Sequence, residues 1–237
     1  MRNSSTGPLQ LRKHQPLMPK QGERESQHGA AATLASKIQE ALACHMHGQL
    51  AQAERLYREV LARAPGHFDA LHLLGVLEGQ RRNPAAAVDL IGRALEIDPG
   101  NAGAQSNLGN ALRDLKRPEE ALASYDRAVA LQPDFAEVLF NRGNALWDLK
   151  RHEEALAGYD RALALKPDSP ETHFNCGNVL HDLGRHEEAV AGFDRALALK
   201  PDFSEALNNR GNALVSLKRP DEAARDFARL LELAPDF

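Results

Sequence analysis

Pro65, Pro99, Pro133, Pro167, Pro201 and Pro235 recur at intervals of 34 residues, and the residues between them recur as well. Placing each proline at position 32 divides the chain into units 34–67, 68–101, 102–135, 136–169, 170–203 and 204–237. Units four and five are identical at 24 of 34 positions, far more than composition alone generates. A repeat of this length is one supersecondary unit that cannot bury its apolar face alone and does so by stacking on its neighbours. The period therefore predicts a solenoid.

Within a unit the apolar spacing is helical. In the fourth unit Arg142 and Gly143 lie three and four residues beyond Leu139, with Leu146 and Leu149 following at steps of three, and Ala155, Tyr159 and Ala162 lie at steps of four and three further on. A break at Lys150-Arg151 separates the two helices. The second begins near His152, where other units carry Pro84, Pro118 and Pro220, residues a helix accepts in its first turn because the amides there are unpaired anyway. Asp134 with Glu137, Asp168 with Glu171 and Asp202 with Glu205 have the spacing of capping boxes and predict the first-helix starts. Thr33 is the expected first cap. Gly143, with Gly75, Gly109, Gly177 and Gly211 in register, costs a helix about 1 kcal/mol relative to alanine, so these positions predict close approach of a neighbouring helix. The reading is all-α, a solenoid of six helix-turn-helix repeats.

Composition narrows the function classes. Aromatic residues make up 5% of the chain, which suits closely packed Leu and Ala helices rather than sheet. The formal net charge of -4 gives no reason to expect nucleic acid or an anionic membrane as partner. Residues 1–30 carry +3 and the remainder -7. That first segment lacks periodicity and is interrupted by prolines, so it is expected to be a flexible basic arm, one that competes for an acidic groove. Cys44 and Cys176 fall at core positions four units apart, a spacing that opposes a bridge between them. Two buried thiols, no apolar signal-type run and no membrane-length segment point to the cytoplasm.

The small-residue and ring positions carry a resemblance. Gly109, Ala121, Tyr125 and Ala128; Gly143, Ala155, Tyr159 and Ala162; Gly177, Ala189, Phe193 and Ala196; and Gly211, Ala223 and Phe227 resemble the tetratricopeptide repeat (TPR) family, in register over 34–237. Unit one departs with Ala41 and Val60, and unit two with Ile91 in place of the ring. The resemblance implies a right-handed superhelix whose first helices line a concave surface that binds protein. The run N-x-G-N-A-L with its following K-R-x-E-E-A-L is also similar to the repeats of bacterial O-linked N-acetylglucosamine transferase-like proteins, in which the repeats present substrates to a separate catalytic domain. Nothing in the chain resembles that domain.

On the implied concave surface, Asn107 and Asn110, Asn141 and Asn144, Asn175 and Asn178, and Asn209 and Asn212 are spaced three apart, so each pair shares a helical face. An amide side chain donates to a peptide carbonyl and accepts from a peptide N–H, so aligned amides suit an extended backbone of varied sequence. Asn107, Asn141, Asn175 and Asn209 match the asparagine ladder of the transferase repeats, whereas Gln39 and Leu73 interrupt it in units one and two. The alternative is that these amides only bridge neighbouring helices. Glu137, Glu171, Glu205, Asp114, Asp148 and Asp182 make the groove acidic, with Arg113 the main opposing charge, so a neutral or basic segment fits better than an acidic chaperone terminus. Phe140, Phe174 and Trp147 are expected to add apolar contacts, with Trp147 the candidate hot spot.

Residues that suggest chemistry have simpler readings. Cys44, His45 and His47 lack a partner cluster to complete a metal site. His152 and His186 are one repeat position duplicated. The adjacent carboxylates Glu119/Glu120, Glu153/Glu154 and Glu187/Glu188 suit the positive end of a helix. No cofactor and no catalysis by this chain are expected. Leu207, Leu214 and Phe227 in the last unit are expected to need cover, either from a further domain or through self-association.

Overall fold

The computed structural model describes residues 21–233, with side chains described from residue 32 onward. Among these residues are twelve α-helices in consecutive antiparallel pairs. The pairs are α1 (Gln21–Met46) with α2 (Leu50–Arg63), α3 (Phe68–Gln80) with α4 (Pro84–Ile97), and α5 (Ala102–Asp114) with α6 (Pro118–Leu131). They continue with α7 (Ala136–Asp148) and α8 (His152–Leu165), α9 (Pro170–Asp182) and α10 (His186–Leu199), then α11 (Ser204–Ser216) and α12 (Pro220–Leu233). Each second helix packs on its own first helix and on the first helix of the next unit. Successive first helices touch one another, and no two second helices do among the described residues. The first helices therefore line the inner side of the curve.

Three local expectations change. Helix α1 runs from Gln21, so Thr33 lies inside it rather than at its start, and helix continues into the segment expected to be an arm. The remainder of that arm, residues 1–20, lies outside the described residues, as do Pro235 and Phe237. The first-helix caps fall one residue later than the Asp-x-x-Glu spacing indicates. Phe135, Ser169 and Phe203 occupy the cap positions, and of these only the Ser169 hydroxyl accepts from a backbone amide, that of Thr172. Asp134 and Asp202 instead lie in the turn at the preceding proline, and Asp168 in the irregular link after Pro167. Asn101 caps α5 by accepting from the Ala104 amide at 2.9 Å.

The turn between paired helices is the same throughout. Arg82, Lys116, Lys150 and Lys218 have φ between 57° and 61°, and Gly48 and Gly184 hold the equivalent places. At α5 the Lys116 amide donates to the Arg113 carbonyl at 2.9 Å and the Arg117 amide to the Leu112 carbonyl at 3.0 Å. This double return satisfies carbonyls that the helix end leaves unpaired, and it requires the left-handed residue.

Inside each pair the ring position dominates. Tyr57, Tyr125, Tyr159 and Phe193 are fully buried. A Cβ added at Gly109, Gly143, Gly177 or Gly211 would meet the facing ring at 2.5 or 2.6 Å. The predicted close approach is thus of glycine to a ring edge. Between adjoining units, Arg142 of α7 pairs with Asp126 of α6 at 2.6 Å. Arg210 binds both Asp194 and the buried Asp226, each at 2.5 Å. Cys176 stands at the same repeat position, buried, with its thiol pushed up to about 12 by burial and by the nearby Asp160.

In the last unit Leu207 and Leu214 are already buried, against the expectation that they need a neighbour, because they face their own pair and the preceding unit. Phe227 is half-buried. The side chains left outward are Val215 and Leu231, 55% and 58% exposed.

Candidate functional site: the inner face of the first helices

The paired asparagines do not form two separate rails. The second amide of one unit meets the first amide of the next. Asn141 Nδ2 donates to Asn110 Oδ1 at 3.2 Å, Asn175 to Asn144 at 2.8 Å, and Asn209 to Asn178 at 2.7 Å. In units three and four the accepting oxygen also takes the buried tyrosine hydroxyl, with Tyr125 on Asn110 and Tyr159 on Asn144, both at 2.7 Å. Unit five has Phe193, which offers no such hydroxyl. Asn107 ends the row against His72 Nε2 at 2.9 Å, one unit further than the interruption at Leu73 predicts. Burial lowers the pKa of His72, which favours the neutral ring that can accept from an amide.

The bridging expectation is therefore realised for these amides, and the bridges leave binding capacity. Oδ1 of Asn107, Asn141 and Asn175 has no partner among the described residues, and each of these side chains is half-exposed. At the far end Asn212 is exposed, with no further unit among the described residues to occupy its oxygen.

A second set of links runs alongside at a separation of 35 residues. His45 Nε2 meets Gln80 Oε1 at 2.9 Å, Arg113 Nε donates to Asp148 Oδ2 at 2.8 Å, and Trp147 Nε1 donates to Asp182 Oδ2 at 2.8 Å. Trp147 is half-buried, packs on the central core and bridges units four and five. Two clefts meet at its indole. The larger, about 410 Å³, is lined by Arg113, Lys116, Pro118, Trp147, Asp148, Lys150 and Asp182. The smaller, about 190 Å³, is lined by Trp147, Asn178, His181, Asp182, Asn209 and Asn212. Nearby carboxylates are felt in the core: Tyr125 is raised above its usual value first by burial, and then by Asp114, Asp148 and Glu137, with Arg113 opposing them.

The asparagines, Trp147, Asp148 and Asp182 of the expected groove lie near one another in units three to six, while two further residues, Phe140 and Phe174, are only partly exposed. Phe140 and Phe174 lie between helices. Phe140 is 5.9 Å from Tyr159, and Phe174 is 5.9 Å from Phe193 and 4.8 Å from Phe203, centroid to centroid. The sequence reading missed His72, His181 and the two tyrosine hydroxyls. The alternation of Tyr and Phe at one repeat position was the available signal. His45, weighed as a metal ligand, is committed to Gln80, and among the described residues no group of three His, Cys, Asp or Glu side chains could hold a metal ion.

Stacked helix pairs with an inner polar face define an α-solenoid. Its family follows from comparison. The tetratricopeptide repeat family matches residues 47–102 and 106–170, with further TPR matches at 177–218 and 204–237. The chain belongs to the tetratricopeptide repeat family. A comparison with curated proteins gives no match.

Among solved structures, PilF of Pseudomonas aeruginosa is 24% identical, with a TM-score of 0.77 over 88% of this chain and 95% of that one. PilW, described as a widely conserved type IV pilus biogenesis factor, is 20% identical, with a TM-score of 0.79 over 86% and 95%. YrrB, described as a TPR protein with an unusual peptide-binding site, is 20% identical, with a TM-score of 0.64 over 76% and 93%. These likenesses establish the shared fold. No helix among the described residues is long and apolar enough to cross a membrane.

Proposed function

We propose that this chain is an interaction scaffold that binds an extended peptide or protein segment, neutral or basic, along the inner face of units three to six. The observation that carries the reading is the amide row. Asn107, Asn141 and Asn175 are held by inter-unit bonds yet keep an acceptor oxygen without a partner among the described residues. An amide fixed in this way recognises a peptide N–H without first losing rotamer freedom. Asp114, Asp148 and Asp182 along the same face favour a basic ligand over an acidic one. The two buried, unbridged cysteines suit a reducing compartment, and we place the protein in the cytoplasm.

The reading is tested by panning random short peptides on the full chain and measuring the selected peptides against Asn141→Ala and Asn175→Ala. Binding should fall about tenfold for each lost hydrogen bond, with the helical signal retained. An outer-face variant, Arg161→Ala, should bind as the wild type does. Selected peptides that bind the asparagine variants unchanged would overturn the reading. A second reading, substrate presentation to a glycosyltransferase region, draws on the position of the same four asparagines. Self-association or a further domain would use the edge that exposes Val215 and Leu231.

A further inference from the structure

We propose that the smaller cleft at Trp147 is the anchor of the groove and takes one arginine side chain of the bound segment; this rests on the peptide-binding reading above. The cleft measures about 190 Å³, the scale of a single side chain. Its lining carries one carboxylate, one indole, one imidazole and three amides, and no lysine or arginine. The indole is fixed by its bond to Asp182 Oδ2 at 2.8 Å. That bond leaves Asp182 Oδ1 without a partner among the described residues. A guanidinium matches this set: it donates in one plane to a carboxylate oxygen and to amide oxygens, and it stacks on an aromatic face. Asn212 Oδ1, which has no partner among the described residues, is an acceptor on the same wall.

The neighbouring cleft explains why the cation goes here. Across the same indole, the larger cleft holds Arg113, Lys116 and Lys150 against Asp148 and Asp182, and Asp148 is already paired with Arg113. A ligand cation is repelled there and directed to the smaller cleft. A ligand acid would meet the opposite preference, which sets the direction in which a charged segment lies along the groove.

Trp147 is the only tryptophan, so its emission reports this site alone. The full chain is titrated with three blocked pentapeptides of glycine and alanine that differ at the central residue: arginine, its neutral isostere citrulline, or glutamate. The arginine peptide should change the emission saturably, and the citrulline peptide should bind about tenfold more weakly, the effect of losing one charge-assisted contact. Asp182→Asn keeps an acceptor for the indole and lies on the surface, so the fold stays intact while the arginine preference disappears. Asp89→Asn, at an exposed position of the second helix α4 and away from the groove, should leave it in place. Equal binding of arginine and citrulline, or a preference that survives Asp182→Asn, overturns the anchor and leaves the groove reading standing. Absence of any saturable response also overturns the anchor, and the panning result then judges the groove reading by itself.

Discussion

Gly143 and Tyr159 approach so closely that a Cβ built on the glycine would lie 2.5 Å from Cε1 of the ring. Neither partner has room to give, because Tyr159 is fully buried and its hydroxyl is tied to Asn144. Gly143→Ala should therefore destabilise the array by about 1–3 kcal/mol, the usual cost of overpacking, despite alanine's better helix propensity. The first unit, with Ala41 beside Tyr57, shows that a pair can adjust when it is built that way, which keeps the cost below loss of the fold. Gly92→Ala in α4 is the control. A Cβ there meets nothing within 4 Å, so it should stabilise by about 1 kcal/mol. Urea denaturation of the two variants checks both signs.

Asn144 accepts from two directions, Tyr159 in its own unit and Asn175 in the next. Asn144→Ala strands a buried phenol and should cost about 1–3 kcal/mol. Asn178 accepts from Asn209 alone, opposite a phenylalanine, so Asn178→Ala should cost about 1 kcal/mol. Tyr159→Phe with Asn144→Ala should lose less than the sum of the single variants, since each already breaks the same bond. A double-mutant cycle in urea that proved additive would contradict the coupling.

These relationships mark where the sequence was legible. The 34-residue period could be read by comparing one unit with the next, and the start of the second helix at His152 and the crowded glycines within a single unit, because these depend on local propensity and on spacing along one helix. Contacts between units were different. Whether Asn144 meets Asn175, or Trp147 meets Asp182, depends on how far one unit rotates against the next, and no residue spacing encodes that angle directly. The cap shift from Asp134 to Phe135 has a related cause: the aspartate takes part in the turn after Pro133, and tertiary packing of Phe135 sets where the helix begins. Amides were visible as a pattern, while their pairing required the stack.

The turn residues make a third prediction. Lys150 has φ of 61°, a left-handed conformation that costs an L-residue roughly 1–2 kcal/mol and costs glycine nothing. Part of that gain is offset by the greater freedom of glycine in the unfolded chain, about 0.5–1 kcal/mol. Lys150→Gly should therefore stabilise by roughly 0.5–1 kcal/mol, and Gly184→Lys should lose a similar amount. Thermal melts of the two reciprocal variants provide the check. If both destabilised, the lysine side chains would be contributing more than their backbone conformation costs.

The chain's tyrosines predict its alkaline limit. All three, Tyr57, Tyr125 and Tyr159, are fully buried. Burial pushes Tyr57 up to about 12, helped by the neighbouring Cys44, and raises Tyr125 and Tyr159 as well. The native state thus holds these protons more tightly than the unfolded state, where a phenol titrates near pH ~10. Their contribution is fully present below that pH and is lost as pH rises through the native values. For Tyr57 this amounts to about 2–3 kcal/mol, from roughly two units at 1.36 kcal/mol each. The helical signal should therefore hold at pH ~9 and collapse above pH ~10, and the phenolate ultraviolet band should appear together with that collapse. Tyr57→Phe should move the midpoint upward, because no ionisable phenol remains at that position. Phenolate forming while the helical signal stays intact would show that the rings titrate in place, and the linkage would then be wrong.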